Sequence, residues 1–393
     1  FGNLTGYLSS QFGASELESS QNDILNGSDD SLMKQNWLDT LADKPKQGAN
    51  VEVTIDPALQ QAAYDQLVGP GYEGSAVAIQ PSTGKVLAMA SNPGYNPNDL
   101  MGDSAEDNWA NLQEQEGQPL VNHAGAETLP PGSIFKIITT AAGLNNGFDP
   151  SSTLTGSNVI TLPDTVTELT NYANQKCNGQ DSVTLQTAFA LSCNTAFVEM
   201  SEQIGADELR KYAKAFGVGE NYDLGVSTSG GTLGDLPDGA ATAQSAIGQR
   251  DVTMTALQAA VMAGTVANKG TRMQPYLVNR ITDAQMKDVR TTKPKKADQA
   301  VNEETAATLT DLMYASERSS WGYDGNSFAS KTGTAEHGEG LAPHVWYVAF
   351  DPERDIAVGV VVKNGGNLGE SATGGKVSGP IGRAILRAYQ GEQ

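Results

Sequence analysis

Apolar, strand-like runs stand at both ends of this sequence, and a largely helical stretch of more than two hundred residues separates them. A four-residue turn, Pro81-Ser82-Thr83-Gly84, joins the two early runs, which predicts a hairpin. The runs are 75–79, 85–90, 328–335, 344–350 and 356–362. This arrangement predicts an α+β fold in which strands from the two ends form one antiparallel sheet with helices on its faces.

The distribution of apolar residues with helix-like or strand-like spacing divides the chain into a short N-terminal part, 1–48, and a large domain, 49–393. The first part has too little apolar content for its own core; a strand is predicted at 1–8 and a linker at 39–48. Residues 287–299 are mostly polar, and no helix or strand is predicted for them. A strand is predicted at 51–55, and helices at 58–67, 184–190, 196–204, 207–216, 255–268, 303–314 and 379–389.

A candidate nucleophile lies at the start of another predicted helix, in Pro130-Pro131-Gly132-Ser133-Ile134-Phe135-Lys136. Two prolines and a glycine can start a helix but cannot continue one, so Ser133 should lie in the first turn. Lys136 follows at i+3 on the same face, which places an amine near the hydroxyl. This is the arrangement of an activated serine.

Ser-x-x-Lys is a weak pattern by itself, because the sequence contains it three times. Ser31 and Lys34 lie in a polar stretch, and Ser82 and Lys85 lie in the predicted hairpin turn. Neither pair opens an apolar helix, so the Ser133 pair is the candidate.

Two further segments follow in the order that a serine acyl-transfer site uses, Ser192-Cys193-Asn194 and Lys331-Thr332-Gly333. Lys136 is predicted to act as general base for Ser133 if burial and a second cation, Lys331, favour its neutral form. Ser192 is predicted to pass a proton to the leaving amine, and Asn194 to bind the substrate's amide.

The strand after Lys331 supplies the predicted substrate-binding groups. Gly333 would let a peptide backbone approach closely, and the hydroxyls of Thr332 and Thr334 would bind a carboxylate. The backbone N–H groups of Ser133 and Thr334 are the predicted oxyanion hole.

Composition excludes several other functions. A net charge of −21 argues against a nucleic-acid partner, which requires a basic surface. The three histidines are not spaced as metal ligands, so no metal or cofactor is predicted. Cys177 and Cys193, the two cysteines, suit a disulfide better than a metal site, with two unlinked thiols as the alternative.

The motifs resemble the transpeptidase domain of class B penicillin-binding proteins over about residues 50–393. Further matches are Ala246-Ile247-Gly248-Gln249, Thr334-Ala335-Glu336 and 51–67. Ser192-Cys193-Asn194 with an upstream Cys177 is most similar to the actinobacterial members, in which these cysteines are expected to pair. The resemblance implies the fold shared by penicillin-binding transpeptidases and serine β-lactamases, with a central antiparallel five-stranded sheet and a remnant of a non-catalytic module over 1–48.

By this resemblance, Ser133 would attack the D-Ala-D-Ala end of a peptidoglycan stem peptide, release D-Ala and pass the acyl group to an amine of a neighbouring stem. β-Lactams would acylate the same serine. The expected location is extracytoplasmic, at the cell membrane through an anchor outside this sequence, with cell-division or elongation proteins as possible partners. The alternatives are a D,D-carboxypeptidase, a slow β-lactamase, and a non-catalytic penicillin-binding scaffold or sensor.

Overall fold

The computed structural model describes residues 1–32, 47–338 and 340–391. Residues 39–46 of the predicted linker lie outside this range, as does Lys34 of the first Ser-x-x-Lys pair. No helix in the described residues is long and apolar enough to cross a membrane.

The strands, in chain order, are β1 (Leu8–Ser9), β2 (Gly13–Ala14), β3 (Asn50–Val53), β4 (Gly74–Ile79), β5 (Val86–Asn92), β6 (Thr153–Thr155), β7 (Val159–Thr161), β8 (Glu168–Thr170), β9 (Ser182–Thr184), β10 (Thr271–Met273), β11 (Val278–Thr282), β12 (Asp288–Thr291), β13 (Lys296–Gln299), β14 (Ala329–Ala335), β15 (His344–Asp351) and β16 (Ile356–Val362).

The helices are α1 (Gly2–Thr5), α2 (Glu16–Ser20), α3 (Asn22–Leu25), α4 (Pro57–Val68), α5 (Ala105–Glu114), α6 (His123–Ala126), α7 (Lys136–Leu144), α8 (Leu185–Leu191), α9 (Asn194–Ala215), α10 (Gly239–Ala246), α11 (Ala256–Ala267), α12 (Glu303–Ser319) and α13 (Ser378–Ala388). Gly205 interrupts α9 with a non-helical conformation, where the sequence predicts two helices. Short 3-10 turns are Asp30–Leu32, Pro97–Leu100, Gly132–Phe135, Tyr172–Asn174, Cys177–Gly179 and Lys363–Ser371.

The central sheet has five strands in the order β14-β15-β16-β4-β5, and every neighbouring pair is antiparallel. The two ends of the chain meet where β16 pairs with β4, with Val360 opposite Ala76. The predicted α+β architecture with a central antiparallel sheet is therefore confirmed. Strand β14 lies at one edge of the sheet, so one side of its backbone has no neighbouring strand among the described residues.

Two apolar cores lie on opposite faces of this sheet, because neighbouring residues of a strand point to opposite sides. Helices α4 and α13 cover one face together with residues such as Tyr347 and Val360. Helix α11 covers the other face, where Val348 and Phe350 pack with residues of α7, α8, α9 and α12. The side chains that form the predicted site come from this second layer.

Two sequence predictions about local structure are wrong in detail. The N-terminal residues form α1 before the short strand β1, because buried Leu4 packs into the core and Asn3 Nδ2 donates to the carbonyl oxygens of Pro119 (2.8 Å) and Val121 (2.9 Å). The polar stretch 287–299 contains β12 and β13, which pair with β11 and β10. The strand predicted at 51–55 is present as β3, and it pairs with β11 outside the central sheet.

Candidate active site

The turn that carries Ser133 is held by close backbone contacts on two sides. Gly132 has φ +54°, and a Cβ there would lie 2.8 Å from Thr334 O. Its N–H donates to Gly248 O at 2.9 Å. The indole N–H of buried Trp346 donates to Pro130 O at 2.8 Å. These contacts fix Ser133, which is partly exposed, next to strand β14.

The helix predicted to begin at Ser133 begins slightly later. Residues Gly132–Phe135 form a 3-10 turn, and α7 starts at Lys136. A 3-10 turn is common at a helix N-terminus, and here it places Ser133 three residues before the first α-helical residue, Lys136. Ser133 Oγ has no hydrogen-bond partner within the described residues, and Lys136 does not bond to it directly.

Lys136 is fully buried and its amine is surrounded by groups of the Ser192-Cys193-Asn194 segment. Nζ donates to Asn194 Oδ1 at 2.7 Å and to Ser192 O at 2.8 Å, and it lies 3.3 Å from Ser192 Oγ. A neutral amine has two N–H donors, which the two shorter contacts would use, and one lone pair, which would then lie toward the Ser192 hydroxyl. Burial, and secondarily the charge of Lys331, lowers the pKa of Lys136 well below its ordinary value.

Ser192 lies between the two lysines. It ends helix α8 in a left-handed conformation, with φ 60° and ψ 40°, which is strained for a residue with a side chain. Its Oγ accepts a hydrogen bond from Lys331 Nζ at 3.0 Å. The hydroxyl of Ser192 can therefore exchange a proton with either amine.

A disulfide joins Cys177 and Cys193, whose Cα atoms are 5.7 Å apart. Cys193 follows Ser192 directly, and its N–H donates to Ala188 O at 2.9 Å. Asn194, the first residue of α9, also donates from Nδ2 to Thr170 O at 3.2 Å. The strained Ser192 is thus held between a helix end and a cross-linked loop.

Lys331 is buried on the inner side of β14. Its Nζ donates to Ser192 Oγ and to Thr332 O (3.1 Å), and it lies 5.7 Å from the ring centre of Phe189. Burial lowers the pKa of Lys331 to about 7. Two buried lysines with lowered pKa values contact the same hydroxyl, and such clustered pKa shifts are typical of a functional site.

The rest of the Lys331-Thr332-Gly333-Thr334 strand faces the nucleophile turn and the open sheet edge. A Cβ at Gly333 would lie 2.7 Å from Pro131 O, so this glycine lets the nucleophile turn pack against β14, a contact that the sequence does not reveal. Thr332 and Thr334 are partly exposed, and in the described part of the chain their hydroxyls have no protein partner. They are available to a ligand.

Gly374 is a contact residue that sequence reasoning missed. A Cβ there would lie 2.2 Å from Trp346 O and 2.7 Å from Gly333 O, so a side chain would push the loop away from β14. The sequence signal was the pair Gly374-Gly375 in front of the last helix. Trp346 is a buried core residue.

The described residues contain no group of His, Cys, Asp or Glu side chains that could hold a metal ion. His123 pairs with Glu127, at 2.9 Å. His337 and His344 stack with ring centres 3.9 Å apart, and burial with the nearby His337 and Lys363 lowers the pKa of His344 to about 4.

Comparison with known proteins assigns the family. A family model described as the penicillin binding protein transpeptidase domain matches residues 74–387. The chain belongs to the penicillin-binding transpeptidase family. A second model, the penicillin binding protein A dimerisation domain, matches residues 1–51. The family resemblance of the motifs is therefore confirmed.

Close relatives cover nearly the whole chain. The chain is 43% identical to peptidoglycan D,D-transpeptidase PbpA of Mycolicibacterium smegmatis, over 98% of this chain and 81% of that protein. The ceftriaxone acyl-enzyme complex of penicillin-binding protein A from M. tuberculosis superposes with a TM-score of 0.95 at 40% identity, covering 99% of this chain and 91% of that one. Its penicillin G acyl-enzyme complex gives 0.94 at 40% identity, covering 98% and 91%.

Proposed function

We propose that this protein is a peptidoglycan D,D-transpeptidase that works through an acyl-enzyme on Ser133. The observation that carries the proposal is the convergence of two buried lysines, Lys136 and Lys331, on the hydroxyl of Ser192 beside the Ser133 turn. Family membership supports it, as does the similarity to PbpA of Mycolicibacterium smegmatis, a peptidoglycan D,D-transpeptidase.

In the first half-reaction, Ser133 Oγ attacks the carbonyl carbon between the last two D-Ala residues of the donor stem peptide. Neutral Lys136 takes the hydroxyl proton, because burial and the nearby Lys331 lower its pKa and favour the neutral amine. The backbone N–H groups of Ser133 and Thr334 stabilise the oxyanion, an effect of about 3 kcal/mol per donor.

The intermediate collapses when the C–N bond breaks and the nitrogen of D-Ala receives a proton. Ser192 supplies that proton and regains one from the Lys136 ammonium, with which it is in contact at 3.3 Å. The carboxylate of the donor binds to Lys331 and to the free hydroxyls of Thr332 and Thr334, while Asn194, whose Nδ2 also donates to Thr170 O, binds the donor's amide. D-Ala leaves, and an ester to Ser133 remains.

In the second half-reaction, the amine of a neighbouring stem attacks the ester carbonyl. Lys136 accepts the amine proton and returns it to Ser133 Oγ through Ser192, so the serine is regenerated and a new peptide bond links the stems. A β-lactam enters the first half-reaction in the same way, but its leaving nitrogen stays tethered to the acyl group and blocks the acceptor.

The N-terminal residues 1–48 belong, in this proposal, to a non-catalytic module, and residues 49–393 form the transpeptidase domain. The match of 1–51 to a dimerisation domain supports this division. The enzyme acts outside the cytoplasm, where peptidoglycan is cross-linked. Attachment to the membrane by an anchor outside this sequence, and contacts with cell-division or elongation proteins, stay predictions from the family.

The proposal is tested by incubating the protein with a stem-peptide donor, with and without an amine acceptor such as glycine or a D-amino acid. A transpeptidase forms the donor–acceptor product and releases one D-Ala for each. Release of D-Ala at the same rate without any transfer to the acceptor would identify a carboxypeptidase instead. Rapid turnover of penicillin would identify a β-lactamase.

A further inference from the structure

A buried ion pair lies beneath the edge strand that carries Lys331. Glu317 on α12 is 1% exposed and Arg383 on α13 is 3% exposed, and Arg383 Nε donates to Glu317 Oε1 at 2.7 Å. A buried charge is costly unless it is paired and hydrogen-bonded. Arg383 also donates to Trp321 O (3.0 Å) and Ser320 Oγ (3.2 Å), so the pair is well satisfied and ties the two helices together.

The second oxygen of the Glu317 carboxylate points at the sheet. Oε2 accepts hydrogen bonds from the hydroxyl of Tyr347 on β15 (2.9 Å) and from the hydroxyl of Ser330 on β14. Burial, followed by the nearby Glu317, raises the pKa of Tyr347 well above its ordinary value, so this hydroxyl keeps its proton. One carboxylate therefore holds two neighbouring strands.

Ser330 directly precedes Lys331, and consecutive side chains of a strand point to opposite faces. The Ser330 side chain reaches Glu317 on one face, and the Lys331 side chain reaches Ser192 on the other. Both residues are fully buried. The backbone from which the Lys331 amine projects is thus fixed by a charged hydrogen bond one residue away.

We propose that Glu317 is a positioning residue for catalysis: through Ser330 it sets the place of β14, and so the distance from Lys331 to Ser192. The inference rests on the proposed function. Catalytic groups lose efficiency when their supporting contacts allow displacements of less than 1 Å, so the anchor has a catalytic effect beyond stability.

Ser330→Ala tests this with the smallest change, because it removes one hydroxyl and leaves the Glu317–Arg383 pair intact. Ser378→Ala is the matched control: Ser378 is equally buried and its Oγ donates to Val345 O at 2.7 Å, on the neighbouring strand β15. Glu317→Gln is a stronger variant, which keeps the shape and removes the charge. For each protein the thermal midpoint and the second-order rate of acylation by a fluorescent penicillin are measured across pH.

We expect the Ser330→Ala variant to be acylated roughly tenfold more slowly than the wild type. The acidic limb of its pH–rate profile should move to higher pH, because a displaced Lys331 repels the Lys136 ammonium less. Ser378→Ala should lose similar stability and keep the wild-type rate and limb. Wild-type acylation by Ser330→Ala, or an equal loss of rate in both variants, would overturn the inference and leave the proposed function standing. Absence of acylation in the wild type would overturn both.

Discussion

Lys331 Nζ donates to Ser192 Oγ at 3.0 Å, although Lys136 Nζ lies 3.3 Å from the same hydroxyl. Two ammonium groups this close would repel each other strongly in a buried site, so the arrangement is stable when one of them is neutral. We infer that Lys136 is the neutral one, because burial, and secondarily the charge of Lys331, lowers its pKa well below the ordinary value.

Replacing the proposed base should slow acylation without removing the nucleophile. Lys136→Ala is expected to lower the rate of acylation by penicillin about a thousandfold, the usual contribution of a positioned general base. Stopped-flow fluorescence with a labelled penicillin measures this rate. Lys211→Ala, which removes an exposed lysine paired with Glu208, is the control and should acylate like the wild type. An unchanged rate in Lys136→Ala would show that another group accepts the proton.

The acylation rate should depend on pH through both lysines. As pH falls through the lowered pKa of Lys136, the amine becomes charged and cannot accept a proton, so the rate falls. As pH rises through about 7, Lys331 loses the charge that binds the carboxylate, and the rate falls again. Measuring the second-order acylation constant against pH should give a bell-shaped curve.

Lys331→Gln provides the internal check on this profile. Without the second cation the pKa of Lys136 rises, so the acidic limb should move to higher pH, and the basic limb should disappear. An acidic limb that stays in place would contradict the electrostatic coupling of the two lysines.

The Cys177–Cys193 disulfide should support both stability and rate, since it holds the segment that contains Ser192 in a strained conformation. The double substitution Cys177→Ala with Cys193→Ala is expected to lower the free energy of unfolding by about 3 kcal/mol for a loop of this length. Denaturant unfolding and the acylation rate are measured together. Equal acylation by the oxidised and the cysteine-free protein would show that the disulfide has a structural role alone.

Gly333 should tolerate no side chain, because a Cβ would lie 2.7 Å from Pro131 O and drive the nucleophile turn from β14. Gly333→Ala is expected to lose about 2 kcal/mol of stability from overpacking and most of its acylation rate. Gly325→Ala is a matched control: Gly325 has φ +88° and open space around its Cβ position, so it adds backbone strain without a clash. Full activity in Gly333→Ala would contradict the described packing.

The central sheet and the motif residues could be predicted from the sequence because both depend on local patterns. Short apolar runs and the turn at 81–84 predict the strands, and the Ser133 helix start separates one Ser-x-x-Lys pair from two others. The roles assigned to Ser133, Lys136, Ser192, Asn194 and Lys331 stay predictions, and the structure brings all five into one region.

The features that could not be predicted from the sequence depend on contacts between distant segments of the chain. Three contacts join residues far apart in the chain, and no local pattern encodes them: the hydrogen bond from Lys136 to Asn194, the packing of Gly374 on Gly333 and the Glu317–Ser330 hydrogen bond. The helix α1 and strands β12 and β13 formed where local propensity was weak and tertiary packing decided the conformation.

Intact-protein mass spectrometry after incubation with penicillin G tests the central claim, acyl transfer through Ser133, most directly. The wild type should gain the mass of one penicillin, and peptide mapping should place it on Ser133. Ser133→Ala should gain none, while Ser82→Ala, which changes the Ser-x-x-Lys pair of the β4–β5 turn, should be labelled like the wild type. No adduct on the wild type, or the same adduct on Ser133→Ala, would contradict the account.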